Sequence, residues 1–226
     1  MSGIVGSKFN IRGSGLVGSL GTDGQHMLSS GAGKSNVFED AAGGGAWNLI
    51  KTLTASSSAT LSFVNGTSAV VLDSTYNHYV FAFNSIHSSA VRELKFQCSV
   101  DTGSNYNTNI LSCYFVNYVS GTADDHSLER KTGNQDATDF QRITTQQGTE
   151  NDASASGELH LFNPASTVYD KQFRSWSSVH GTSEYQYFTN SAGRSETTSA
   201  IDAVQFKMDS GNIDAGTISL FGLSTT

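Results

Sequence analysis

From Trp47 onward, apolar and polar residues alternate in short runs, each closed by a cluster of Gly, Ser, Asn or Asp. A period of two marks a strand with one buried face, because successive side chains point to opposite sides. In "RELKFQCSV" (92–100), Leu94, Phe96, Cys98 and Val100 share one face, with Glu93, Lys95, Gln97 and Ser99 opposite. "AVQFKMD" (203–209) sets Val204, Phe206 and Met208 against Gln205, Lys207 and Asp209. Runs at 46–54, 59–64, 78–87, 109–119, 157–163, 171–181, 184–190 and 216–223 read as further strands. None of the chain carries a convincing amphipathic helix. The segments 101–109 and 209–216 are rich in hairpin-turn residues. The polar stretch 121–156 reads as a long loop, or as one interrupted by a strand at "DFQRITTQQ" (139–147). The pattern predicts an all-β fold, an antiparallel jelly-roll-like β-sandwich over 47–226.

Residues 1–46 follow no period. They hold 12 of the 23 glycines, with isolated apolar residues scattered among Gly and Ser. Such a segment buries too little surface alone to offset its backbone entropy. It reads as an extended glycine-rich arm that needs an outside surface, a partner protein or sister chains. Ile4, Val5, Phe9, Ile11, Leu16, Val17, Leu20 and Phe38 are its candidate anchors.

Composition narrows the function. With 13 Lys and Arg, a net charge of −7 and no basic cluster, the chain offers no footprint for a nucleic-acid backbone. No apolar run approaches the ~18 residues that cross a bilayer, and "MSGIVGSKFNIRGSG" lacks the apolar region of a secretory signal. The expectation is a soluble protein made in a reducing cytosol, without membrane insertion. Cys98 and Cys113 flank what reads as a hairpin connection and could face each other across adjacent strands. Two buried reduced thiols are the favoured outcome, a disulfide the alternative.

Chemical motifs are sparse. "GAGKS" (31–35) has the ending of a phosphate-binding loop, but Leu28 stands where its first glycine belongs, and neither a buried strand nor a helix flanks it. Asp124, Asp125 and His126 are adjacent polar residues with no second cluster to complete a metal site, and a solvated loop is the favoured reading. His26, His78, His87, His160 and His180 are scattered, His160 falling on a strand face beside core residues. No nucleophile elbow appears. Glu158 and Glu184 lie near strands, but glycoside cleavage requires two converging carboxylates. Neither catalysis, a metal nor a cofactor is expected. Binding, if any, falls to aromatic rings that stack on sugars: Tyr106 at a hairpin tip, and Trp176, Tyr185 and Tyr187 around "SWSSVHGTSEYQY". For Trp176 a core position is the favoured reading.

Two stretches carry a family resemblance. "GTDGQHMLSSGAGKSNVFED" (21–40) resembles an element of bacteriophage tail-fibre and related virion proteins, although His26, Met27 and Lys34 depart from its usual residues. "IDAVQFKMDSGNIDAGTISLFGL" (201–223) looks like the closing hairpin of phage jelly-roll fibre or decoration domains. "MSGIVGSKFNIRGSG" and several strands within 47–109 are similar to the same group, whereas 120–195 matches nothing in it. The resemblance implies a non-enzymatic virion structural protein, assembled in the host cytoplasm, that docks to other virion proteins through residues 1–46. It further implies a homotrimer, with outer loops that meet a host-surface glycan or protein if the chain is a tail fibre or tail-attached adhesin. The alternatives are a capsid decoration protein or tail adaptor without receptor binding and, more remotely, a glycan-cleaving tail enzyme.

Overall fold

The structure, a computed structural model, describes residues 25–28, 37–40, 46–122, 124–133 and 137–224. The chain divides into two units, 1–45 and 46–226. In the first, β1 (Gln25–Leu28) pairs antiparallel with β2 (Val37–Asp40), placing Gln25 opposite Asp40. This pair was not expected, because four-residue strands are too short to show a period. A strand, not a helix, therefore follows the "GAGKS" segment. That segment and the anchors Ile4, Val5, Phe9, Ile11, Leu16, Val17 and Leu20 lie outside the described residues, and only the backbone of Phe38 is described.

The second unit contains β3 (Trp47–Thr54), β4 (Leu61–Val64), β5 (His78–Ser88), β6 (Leu94–Ser99), β7 (Ile110–Ser120), β8 (His126–Lys131) and β9 (Gln141–Arg142). It continues with β10 (Ala155–Phe162), β11 (Lys171–His180), β12 (Tyr185–Ser195), β13 (Ala203–Met208) and β14 (Ile213–Leu223). Every pairing is antiparallel. One sheet runs β3-β14-β5-β10-β11-β12-β7-β8, the other β4-β13-β6-β9. The sets β3-β14-β5-β10 and β4-β13-β6-β9 are the two halves of a jelly roll, the chain crossing between them at nearly every link. Two hairpins are inserted into this frame, β7–β8 between β6 and β9, and β11–β12 between β10 and β13. Both extend the first half beyond β10, so an eight-stranded sheet packs on a four-stranded one.

The core lies between the halves. Tyr79, Phe81 and Phe83 of β5, Leu159 and Leu161 of β10, and Ile218 and Leu220 of β14 pack with Leu61, Phe63, Leu94, Phe96, Val204 and Phe206. The rings of Phe63 and Phe81 meet at 5.3 Å, and those of Phe96 and Phe173 at 5.0 Å. Each buried ring contributes roughly 1.5–3 kcal/mol by area alone. Farther along the large sheet the inward face turns polar. Ser177 and Thr189 are buried, with their hydroxyls in hydrogen-bond contact with each other and each within reach of the Ile143 carbonyl, at 3.1 and 2.9 Å. With one proton apiece, one donates to that carbonyl and the other donates either to it or to its neighbour's oxygen. Lys171 is fully buried, its ammonium donating to the carbonyls of Tyr169 (2.7 Å) and Thr197 (2.9 Å).

The connections correct two expectations. Segments 101–109 and 209–216 are not hairpins: each links a strand of the small sheet to one of the large sheet. Turn residues reverse a chain equally well at a crossover. Asp101 holds the first corner, accepting from Ser99 Oγ (2.7 Å) and the Asn105 amide (2.9 Å), and those bonds hold its carboxyl down at about 2. Cys98 and Cys113 thus stand in different sheets, and both are free thiols, Cys98 buried and Cys113 exposed. Within 121–156 there is strand at β8 and at β9, the latter inside the expected 139–147.

Candidate functional site

The outer face of the eight-stranded sheet gathers most of the exposed large apolar side chains among the described residues. Trp47 and Leu49 come from β3, Trp176 from β11, Phe188 from β12, Phe115 and Val119 from β7, and Leu128 from β8. Strand parity sets this face. In β11, Phe173, Ser175, Ser177 and Val179 point inward and are buried, which turns Arg174, Trp176 and Ser178 outward. Trp176 is therefore 39% exposed rather than a core residue.

A cleft of about 360 Å³ opens on this face, lined by Trp47, Val80, Ala82, Glu158, His160 and Phe221. It lies where β3, β14, β5 and β10 run side by side. A chain of hydrogen bonds organises its polar wall. Trp176 Nε1 donates to Glu158 Oε1 at 2.7 Å, and His160 Nε2 lies 2.6 Å from the same oxygen. His160 Nδ1 lies 2.8 Å from His78 Nε2. An ionised carboxylate only accepts, so His160 donates to it from Nε2, and a neutral His160 then accepts at Nδ1 from His78. Trp47 stands across both imidazoles, its ring centroid 5.1 Å from His78 and 6.4 Å from His160.

The electrostatics follow from this packing. Burial raises the Glu158 carboxyl, but the bonds from His160 and Trp176, together with the charges of His160 and Arg174, outweigh it and hold the group below its ordinary range. Burial, then the neighbouring His160 and Arg174, lowers His78, against a smaller pull from Glu158. The cleft therefore presents a carboxylate at neutral pH. Its Oε2 accepts no hydrogen bond among the described residues. Beyond the Glu158–Trp176 bond a second cleft of about 330 Å³ continues over Cys113, Phe115, Arg174, Trp176 and Asn190. The indole is fixed at its nitrogen and borders the second cleft. Apolar ring faces beside a fixed acceptor suit a polyhydroxylated ring, whose C–H face stacks while its hydroxyls donate.

The four aromatic residues singled out in the sequence are not brought together. Trp176 belongs to this face. Tyr185 and Tyr187 lie on the opposite side of the same sheet, stacked on each other at 5.8 Å and packed on Tyr118, with Tyr185 donating to Asp125 at 2.7 Å. Tyr106 sits half-buried in the crossover 101–109, on a cleft of the small sheet. Glu158 and Glu184 do not converge either: Glu158 is opposite Trp176, itself opposite Asn190, whereas Glu184 precedes the start of β12. Six positions, ~20 Å of extended chain, separate Glu184 from Asn190. Among the described residues no group of three or more His, Cys, Asp or Glu side chains could hold a metal ion, and Asp124 instead pairs with His126 at 3.5 Å.

Trp47, His78, Glu158, His160 and Phe221 were not recognised as a group from sequence. Parity along β10 carries the usable signal. With Leu159 and Leu161 inward, Glu158, His160 and Phe162 must share the outer face. That three separate strands deliver Trp47, His78 and Trp176 beside them depends on sheet order, which no local pattern encodes. No known protein family matches the chain, and no curated protein matches it in sequence.

Proposed function

We propose that the chain is a non-enzymatic structural protein of a bacteriophage virion, a tail fibre or tail-attached adhesin. In this reading residues 1–46 dock it to other virion proteins as a homotrimer, and the sandwich faces the host surface. The outer face of the eight-stranded sheet then meets a host-surface glycan. The observation that carries this reading is the cleft in which Trp47 lies beside the Glu158 carboxylate, itself held by the indole N–H of Trp176 from the adjoining cleft. A jelly-roll frame enlarged on one sheet by two inserted hairpins gives that face its breadth, and three copies would add avidity to weak single contacts.

The test is a glycan microarray with the full chain, followed by titration of any hit by calorimetry. Trp176→Ala should weaken binding about tenfold or more while a cooperative unfolding transition is kept at a modestly lower melting temperature, since the indole is only part-exposed and gives up its bond to Glu158. Undiminished binding by this variant would remove the outer face from the mechanism.

A second reading draws on a different observation. Leu49 is 61% exposed and Leu128 73%, on the same face. Sugar stacking has no need of aliphatic side chains, whereas a contact with a neighbouring virion protein does. They favour a capsid decoration or tail-adaptor role. Labelling the chain in assembled particles separates the two: few copies at the tail support the adhesin, hundreds over the shell the decoration protein.

A further inference from the structure

The outer face of the four-stranded sheet has a separate feature. Cross-strand register places Lys207 of β13 opposite Lys95 of β6, and Lys95 opposite Arg142 of β9. Leu94, Phe96, Phe206 and Met208 point into the core, so by parity the three cations project from the same outer side. Like charges directly opposite on neighbouring strands destabilise a sheet. In a chain of net charge −7 with 13 Lys and Arg, such a row requires a reason.

The surroundings neutralise it only in part. Glu93 engages Arg142 at 3.2 Å, and Arg92 lies 4.0 Å from Asp209. Among the described residues neither Lys95 nor Lys207 forms an ion pair. The Lys207 ammonium instead sits over the ring of Phe140, 4.1 Å from its centroid. The row lines a polar cleft of about 530 Å³, shared with Tyr106, Thr138 and the acids Asp139 and Asp209. One wall is built rather than incidental. The side chain of Gln97, fully buried, donates to the carbonyls of Thr108 (3.0 Å), Thr138 (3.0 Å) and Asp139 (3.1 Å), tying the loop before β9 across the sheet.

We propose that this cleft is a second binding site, which takes the carboxylate or sulfate group of an acidic polysaccharide between Lys95 and Lys207. An anion there turns the repulsion between the lysines into two charge-assisted hydrogen bonds. Asp139 and Asp209 at the margin accept from hydroxyls of the same sugar and disfavour a ligand of uniformly dense negative charge. The Tyr106 ring adds an apolar surface for the pyranose. The site is on the other face of the sandwich from the Trp176 cleft and stands even if that cleft binds nothing.

The experiment titrates the full chain with three probes: hyaluronan oligosaccharides, which carry carboxylates alone; sparsely substituted dextran sulfate oligosaccharides, which carry well-spaced sulfates alone; and poly-glutamate, in which every residue is charged. Binding is followed by calorimetry at two salt concentrations. Binding of either polysaccharide that weakens with salt supports the site and identifies the preferred anion. Lys95→Gln and Lys207→Gln should each lower that affinity about tenfold. The melting temperature of Lys95→Gln should hold or rise, because it removes a like-charge contact, whereas loss of a simply structural lysine would lower it. Lys207→Gln also gives up its contact with the Phe140 ring, so its readout is the affinity alone. Trp176→Ala should leave this binding untouched. Absence of binding to both polysaccharides, or equal binding of poly-glutamate, overturns the proposal.

Discussion

Cys98 and Cys113 show how far a side chain's chemistry depends on which way it faces. Burial pushes the Cys98 thiol up to about 12, so almost no thiolate exists at neutral pH, whereas Cys113 is exposed on the outer face. Iodoacetamide on the native protein should therefore modify Cys113 alone, with Cys98 reacting only after denaturation; mass spectrometry of tryptic peptides reads the result. The Glu158–His160–His78 chain makes a second prediction at this scale. The folded state holds both Glu158 and His78 below their ordinary values. A depressed folded value means the unfolded chain binds the proton more readily, so the associated stability is present above the unfolded value and lost as pH falls. Melting temperature should thus decline below pH ~6.5 as the unfolded state gains a proton at His78, and further below ~4.5 through Glu158. His78→Gln should remove the first decline and keep the second. Parity made the facing of Cys98 legible in "RELKFQCSV", and the same count along "KQFRSWSSV" would have turned Trp176 outward. The core reading failed because large aromatic size was weighed above period.

At the level of elements, all ten strands expected from alternation are present, most of them with one face buried in the core; β3, at the sheet edge, is only half-covered. β8 escaped notice because "HSLERK" has a single apolar residue and owes its conformation to hydrogen bonding with β7. β9 has two residues, too few to show any period. Which sheet each strand joins was not legible either, since a polar corner such as 209–216 serves a hairpin or a crossover equally. One such corner supplies a test. Gly216 adopts φ +107°, and a β-carbon there would lie 2.5 Å from the Ser85 carbonyl oxygen and 2.7 Å from Ile86 Cα. It stands at an irregularity in the β14–β5 register, facing Ser85 at φ +50°. Gly216→Ala should cost about 1–3 kcal/mol, read by urea denaturation, because both the backbone conformation and the space reject a methyl group. Phe96→Ala, in the core between the sheets, should cost about 3–5 kcal/mol.

For the whole molecule, the hydrophobic cluster formed among the described residues, 55–220, lies within the second unit. A fragment of residues 46–226 should consequently fold with a cooperative transition and the circular dichroism of a β-protein, while losing incorporation into particles if residues 1–46 dock the chain. A fragment that cannot fold, or that still assembles, would refute this division. The jelly-roll frame was readable from strand count and turn spacing; its enlargement to an eight-stranded sheet was not, because the inserted hairpins look like any other strands in sequence. Enlargement also decides how copies of the molecule can meet. The sheet's last strand, β8, ends it with Glu129, Arg130 and Lys131, and the small sheet ends on the two residues of β9. Charged or very short terminal strands make poor templates for continuing a β-ladder from one molecule into the next. The opposite edges are β3, eight residues with a single charge at Lys51, and the four-residue β4, so a ladder continued from another chain would join at β3 while the β8 and β9 edges stay closed to it.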